Sequence, residues 1–374
     1  MGAHLRSRRY EKRRTETHLS SLSTLAVPCL PRITGQRVKR TSGRSGRRRW
    51  PDVGPTLAHL RPTRSAESHE FPWPVGGERG YTSPMTDSST TTNQQSIPTL
   101  STDRYTIPAL GFGTYRLWGQ SGAQSVETAL TMGYRLIDSA YNYENEGTVG
   151  AGIRAAIDKG IVSRDDVTVT SKLPGRYQEH DQALSAIEES LYRTGLDYID
   201  LYLIHWPNPK QGKYVEAWKA LMEARDRGLI RNIGVCNFTP EHLDTLEGET
   251  GELPVINQVE LHPYFNQAET RAYDEEHGII TEAWSPLARG AVFEEDTIVS
   301  IAKNHDASVG QVVLAWHRAI GSLAIPKSAS EKRQKENLDS LHVTLTGDEV
   351  EAINALTKPD GREKNQDPDE YEEF

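Results

Sequence analysis

Residues 167–205 read VTVTSKLPGRYQEHDQALSAIEESLYRTGLDYIDLYLIH. The stretch opens on a β-branched run, Val167–Lys172, crosses an amphipathic segment, Asp181–Arg193, and returns to an apolar run, Tyr198–His205. Two apolar runs joined through a helix-like segment predict parallel strands linked by a crossover and covered on both faces. Each run ends on a charged or titratable residue, Lys172 and His205, which a buried strand has no packing reason to hold.

The same alternation extends in both directions. Candidate strands are Leu110–Gly113, Arg135–Asp138, Val167–Lys172, Tyr198–His205, Ile230–Asn237, Val255–Glu260, Ile279–Ser285 and Leu323–Lys327. Between them lie helix-like segments at Gln124–Met132, Val149–Lys159, Asp181–Arg193, Val215–Arg227, Pro240–Glu249 and Ala268–Glu276. Two more fall across Asp296–Ala319, and a last one at Glu331–Leu341. Gly133, Gly195, Gly228 and Gly278 stand just past helix ends, where a left-handed stop is expected. Eight strands alternating with helices over about 240 residues predict an α/β fold, the closed (β/α)8 TIM barrel. Leu100–Ile107, turning at Thr102-Asp103, reads as an N-terminal hairpin plugging one end. The short, charged tail Asp360–Phe374 is expected to order poorly and leave the pocket open to varied substrates. An open doubly wound sheet would carry G-x-G-x-x-G after its first strand, but Gly111-Phe112-Gly113 is followed at the third position by Arg116.

Charge divides the chain. Up to Pro84 there are 17 Lys and Arg against 6 Asp and Glu; from Met85 onward there are 26 against 46, within an overall net charge of −9. The acidic part argues against nucleic acid as a partner. Two cysteines, Cys29 and Cys236, make no disulfide framework and fit a reducing, cytoplasmic setting. No apolar run approaches the ~18 residues of a membrane span. Residues 1–96 read as a basic, then polar, disordered extension ahead of a barrel domain at 97–374. The first 84, rich in Arg, Ser, Pro and Gly, fit a start-site artefact or inert tail, with a transit peptide or nucleic-acid-binding arm as the functional alternatives.

Six candidate strands end in polar or charged groups: Asp138, Lys172, His205, Asn237, Glu260 and Lys327, with Gln258 two residues before Glu260. A buried ion pair or a satisfied core histidine explains any one of these. Six at the same end mark a site, because the C-terminal ends of barrel strands converge on one mouth. Asp138 and Lys172 can pair. Tyr143, in the loop Ser139–Glu144, supplies a phenol whose ordinary pKa of about 10 an ammonium should draw toward working range. His205 can hold a carbonyl oxygen, so the group suits a C=O becoming an alkoxide. No side chain donates hydride, so a reduction requires a cofactor. A metal-dependent hydrolase would need clustered His and carboxylate ligands, and no His-x-His occurs near a strand end.

The segments GYRLIDSAYNYENEGTVG, TSKL, DYIDLYLIHWPNP, IGVCNF, NQVELHP, AWSPL and IPKS, in this order and spacing, closely resemble the aldo-keto reductase family over about Pro98 to Ala355. The resemblance implies an NADPH-dependent reduction of aldehydes and ketones. Tyr143 would be the general acid, with Lys172 lowering its pKa, Asp138 holding Lys172, and His205 orienting the carbonyl. It places Thr114, Asp138, Cys236, Asn237 and Gln258 around the nicotinamide and Trp284 on its face. Ser285 and Leu287 fall at the pyrophosphate; Arg333, Glu336 and Asn337 at the adenosine end. Lys327, Ser328 and Arg333 look like a 2′-phosphate grip, which favours NADPH over NADH; solvated charges at a helix start are the plainer alternative. Cys236 stands where the family commonly has Ser, which weakens one carboxamide contact, and reads as a buried, inert thiol or a redox-sensitive one.

Tyr115, Trp118, Trp206 and Phe238 are expected to wall an aromatic-sided substrate cleft. AWSPL with HWPNP resembles the prokaryotic members that reduce 2,5-diketo-D-gluconate and small ketoaldehydes such as methylglyoxal. The expected partner is a small carbonyl compound, with no metal, nucleic acid or membrane, and the enzyme a monomer. A non-catalytic cofactor-sensing subunit is the alternative in another class; the intact set of four residues argues against it.

Overall fold

A computed structural model describes residues 97–359 and 361–374. The expectations for residues 1–96, including the start-site artefact, lie outside the described residues.

Strands β1 (Thr99–Ser101) and β2 (Thr106–Pro108) form an antiparallel hairpin with Leu100 opposite Ile107. Eight parallel strands follow: β3 (Phe112–Gly113), β4 (Leu136–Asp138), β5 (Thr168–Leu173), β6 (Ile199–Ile204), β7 (Ile230–Cys236), β8 (Ile256–Glu260), β9 (Ile280–Trp284) and β10 (Leu323–Ala324). Each lies beside its sequence neighbour, so the order in the sheet is the order in the chain. Parallel bridges from Leu110 to Ala324 and from Gly113 to Lys327 close the first strand on the last. The fold is the expected α/β barrel. At this seam β3 and β10 are shorter than the apolar runs that predict them, because Pro326 has no N–H to continue a ladder. The backbones also crowd there: a Cβ at Gly113 would lie 2.7 Å from the Ile325 carbonyl oxygen.

The helices are α1 (Gly119–Met132), α2 (Glu146–Asp158), α3 (His180–Thr194), α4 (Tyr214–Asp226), α5 (Pro240–Thr250), α6 (Ala268–Glu276), α7 (Asp296–Asn304), α8 (Val309–Ala319), α9 (Glu331–Asp339) and α10 (Gly347–Asn354). α1 starts earlier than its apolar period, and α10 is an addition to the sequence expectation. The stops at Gly133 and Gly195 have φ of 114° and 62°, a region glycine enters without strain.

Strand alternation assigns the two faces. Leu201 and Leu203 point inward, joining Leu136, Ile256, Ile280 and Leu323 in the barrel interior, while Tyr202 and Ile204 face the helices. Ile107 of the hairpin is fully buried in that interior cluster, so the hairpin plugs the bottom as expected. Arg104 latches it, donating to the carbonyls of Leu253, Pro254, His277 and Gly278 at 2.8–3.1 Å. Truncating Leu201 or Leu203 to Ala would cost roughly 2–5 kcal/mol through the cavity left behind.

Candidate active site

Three strands change character as they rise toward the mouth. On the inward face Leu136 gives way to Asp138, Ile256 to Gln258, and Ile280 to Glu282, so an apolar floor supports a polar layer. Lys172 enters the same layer from β5. Its Nζ lies 2.6 Å from Asp138 Oδ2 and donates to the Ser139 carbonyl at 2.7 Å, with the ammonium fully buried. Burial alone would pull its pKa down, but Asp138 overcomes that and leaves it raised, so Lys172 remains an ammonium. Gln258 spends both amide hydrogens below the cleft, on Asp138 Oδ2 and Glu282 Oε2, each at 3.0 Å.

Tyr143 stands above this layer. A turn of 3-10 helix, Tyr141–Tyr143, follows β4, and Glu144 reverses the chain with a φ of 53°. Asn145 pins the loop by donating to the carbonyls of Thr114 and Leu117 at 2.7 and 3.1 Å. Lys172 Nζ sits 5.0 Å from the centre of the Tyr143 ring, and the His205 ring lies 6.0 Å from it, nearly edge-on. The expectation that Lys172 draws the Tyr143 pKa down to working range is not met. Burial outweighs the ammonium and holds the phenol above its ordinary value, so Tyr143 carries its proton at neutral pH.

A cleft of about 830 Å³ opens over these residues. Asp138, Tyr143, His205, Asn237, Gln258, Trp284, Ser285 and Leu287 line it, as do Tyr115, Trp206, Lys327, Ser328, Arg333, Glu336 and Asn337. Asn237 takes a positive φ of 61°, which Asn tolerates, and its amide is held at both ends. Oδ1 accepts from Trp284 Nε1 at 2.8 Å and Nδ2 donates to the His205 carbonyl at 3.0 Å.

Four expected contact residues lie outside the cleft. Thr114 is fully buried and donates to the Asp138 carbonyl at 2.8 Å, so it braces a strand end instead of facing a ligand. Cys236 is sealed in the barrel interior, where burial pushes its thiol well above the ordinary range; it is a packing residue with a protonated sulfur. The left-handed turn at Asn237 sends Phe238 outward, edge-on to Tyr214 and His242. Trp118 is 53% exposed because its indole N–H reaches back to the Tyr143 carbonyl at 2.9 Å, laying the ring over the loop. The tail also differs from expectation. Tyr371 packs on Trp206 at 4.5 Å between ring centres, and the Glu363 carboxylate forms an ion pair with Arg289 Nε at 2.5 Å, so residues 361–374 are docked at the mouth.

The far end of the cleft carries cationic charge. Among the described residues the side chains of Lys327 and Arg333 have no ion-pair or hydrogen-bond partner, and Ser328 and the start of α9 lie beside them. Unspent ammonium and guanidinium groups in a cleft fit an anionic ligand. These residues therefore fit the phosphate groups of a nicotinamide dinucleotide.

Sequence reasoning missed three groups. Glu282 lies on the inward face of β9, paired in register with Gln258; its alternation with Ile280 and Trp284 was the available signal. Arg289 follows two left-handed residues of the loop after β9, Ser285 and Ala288 with φ of 50° and 43°, which nothing in the composition announces. Glu373 lies 2.7 Å from His205, a contact between residues far apart in the chain.

Residues 109–358 match the model of the aldo/keto reductase family. The chain belongs to that family and is an NAD(P)H-dependent oxidoreductase acting on carbonyl groups. It is 48% identical to 2,5-diketo-D-gluconic acid reductase B of a Corynebacterium species over 280 residues, 74% of this chain and 99% of the relative. It is 43% identical to methylglyoxal reductase DkgA of Yersinia pestis, over 67% of this chain and 89% of that protein. Among solved structures, an aldo/keto reductase from Brucella melitensis superposes with a TM-score of 0.66 at 41% identity, covering 70% of this chain and all of that one. A Bombyx mori aldo-keto reductase in complex with NADP gives 0.66 at 36% identity, over 71% and 94%.

Proposed function

We propose that this chain reduces aldehydes and ketones to alcohols with NADPH, Tyr143 giving the proton. The observation that carries the reading is the buried pair at 2.6 Å between Lys172 and Asp138, set beneath a protonated Tyr143 at the floor of the cleft. When bound, the cofactor supplies the hydride. Tyr143 donates its hydroxyl proton to the carbonyl oxygen as that oxygen gains charge. Lys172, always cationic, stabilises the phenolate left behind, and Asp138 fixes where Lys172 points. His205 orients the carbonyl. Asn237 and the remaining polar atom of Gln258, Oε1, hold the carboxamide.

Lys327, Ser328 and Arg333 grip the 2′-phosphate, which makes NADPH the preferred cofactor over NADH. The cleft between Tyr115 and Trp206 admits a small carbonyl compound. The relatives' names point to 2,5-diketo-D-gluconate or a small ketoaldehyde such as methylglyoxal as its substrate. A panel of carbonyl compounds, read by NADPH consumption, tests this. Turnover of ketoaldehydes or diketo acids supports it; NADPH binding without turnover of any carbonyl would favour a cofactor-sensing role instead.

A further inference from the structure

The docked tail brings a carboxylate to the catalytic histidine. Glu373 Oε1 lies 2.7 Å from His205 Nδ1, close enough for strong electrostatic contact although off the line of an ideal N–H hydrogen bond. The same oxygen accepts from Asn142 Nδ2 at 2.7 Å, and Oε2 accepts from the Gly175 backbone N–H at 2.9 Å. Asn208 grips the Glu373 backbone at both ends, donating from Nδ2 to its carbonyl at 2.8 Å and accepting its N–H at 3.1 Å. Any side chain at position 175 would collide with Asn208 and the Glu373 carbonyl, so the glycine keeps this berth open. The anchors come from three different loops, those following β4, β5 and β6. Burial works against an ionised Glu373, but His205, Gly175 and Asn142 together leave its pKa below the ordinary value, so the carboxylate is charged at neutral pH.

We propose that Glu373 is a positioning residue of the active site, holding His205 from its Nδ1 side so that Nε2 meets the substrate carbonyl. An imidazole has two nitrogens, and the partner of one decides what the other presents. With a carboxylate against Nδ1, Nε2 can donate to the carbonyl oxygen only when the ring is the imidazolium, protonated on both nitrogens, and the carboxylate stabilises that positive charge. That stabilisation grows as the carbonyl oxygen opposite Nε2 becomes an alkoxide, so it acts on the transition state more than on bound substrate. Glu373 forms and breaks no bond. The inference rests on the role proposed above for His205.

The test is a double-mutant cycle on the full chain, using E373Q, H205Q, their combination, and F374A as a tail control. kcat with NADPH and an aldehyde is measured together with NADPH affinity. E373Q is expected to lower kcat about tenfold while NADPH Kd stays within about twofold. F374A should match wild type, since Phe374 is exposed. In the H205Q background E373Q should add less than about twofold, because its partner is already gone. Wild-type kcat in E373Q, an equal loss in both backgrounds, or an equal loss in F374A would overturn the proposal. Wild-type kcat in H205Q would instead overturn the reading of His205 on which it rests.

Discussion

Lys172 Nζ and Asp138 Oδ2 are 2.6 Å apart, and neither side chain reaches solvent beyond 2%. A buried ion pair of this kind contributes little net stability as a pair, yet losing one partner leaves a naked charge. Asp138→Asn should therefore destabilise the fold by about 3–5 kcal/mol, as well as slowing turnover. Chemical denaturation at neutral pH checks this. A variant as stable as wild type would show that the Lys172 ammonium is compensated without Asp138.

Glu282 makes a prediction of the opposite sign. Burial first, and the Asp138 carboxylate second, raise its pKa from 4.5 to about 8. The folded state thus binds a proton that the unfolded state gives up, so stability is full below the unfolded value and falls as pH rises through about 8. Glu282→Gln removes this dependence while keeping an acceptor for Gln258. Its melting temperature should match wild type near pH ~4.5 and exceed it by several degrees near pH ~9. A Gln variant less stable than wild type across the whole range would mean that the carboxyl is held ionised.

The proposed preference for NADPH rests on Arg333 and Lys327, whose side chains have no ionic partner among the described residues and line the cleft. Arg333→Ala should raise the KM for NADPH roughly 10- to 100-fold, the worth of a charge-assisted contact to phosphate, and leave kcat/KM with NADH nearly unchanged. Parallel losses with both cofactors would return these residues to the status of solvated charges at the start of α9.

The fold was legible because its signal repeats. Runs such as Val167–Lys172 and Tyr198–His205 are buried on both faces, and their polar ends stand out against that background. What the sequence conceals is side-chain direction in loops. Phe238 follows Asn237 directly, yet a single positive φ turns one into the cleft and the other away from it. Thr114 and Cys236 were placed in the site by the family resemblance, and both turn out to face the protein. The tail misled for a different reason: its charge suggested solvation, but the Glu373 and Glu363 carboxylates are themselves largely buried against partners supplied by distant loops. α10 had a visible signal, the capping box of Thr346 and Glu349, whose backbone and side-chain bonds are both present.

The central claim is that Tyr143 delivers the proton, and Tyr143→Phe tests it most directly. The ring, and with it the contact to Lys172, is retained, so only the hydroxyl is lost. Measured side by side with wild type, the variant should lose turnover by about 10²–10⁴-fold, the usual worth of a general acid. Its NADPH affinity, read by fluorescence, should stay nearly unchanged. A wild-type kcat in Tyr143→Phe would contradict the account, whatever the other residues of the cleft do.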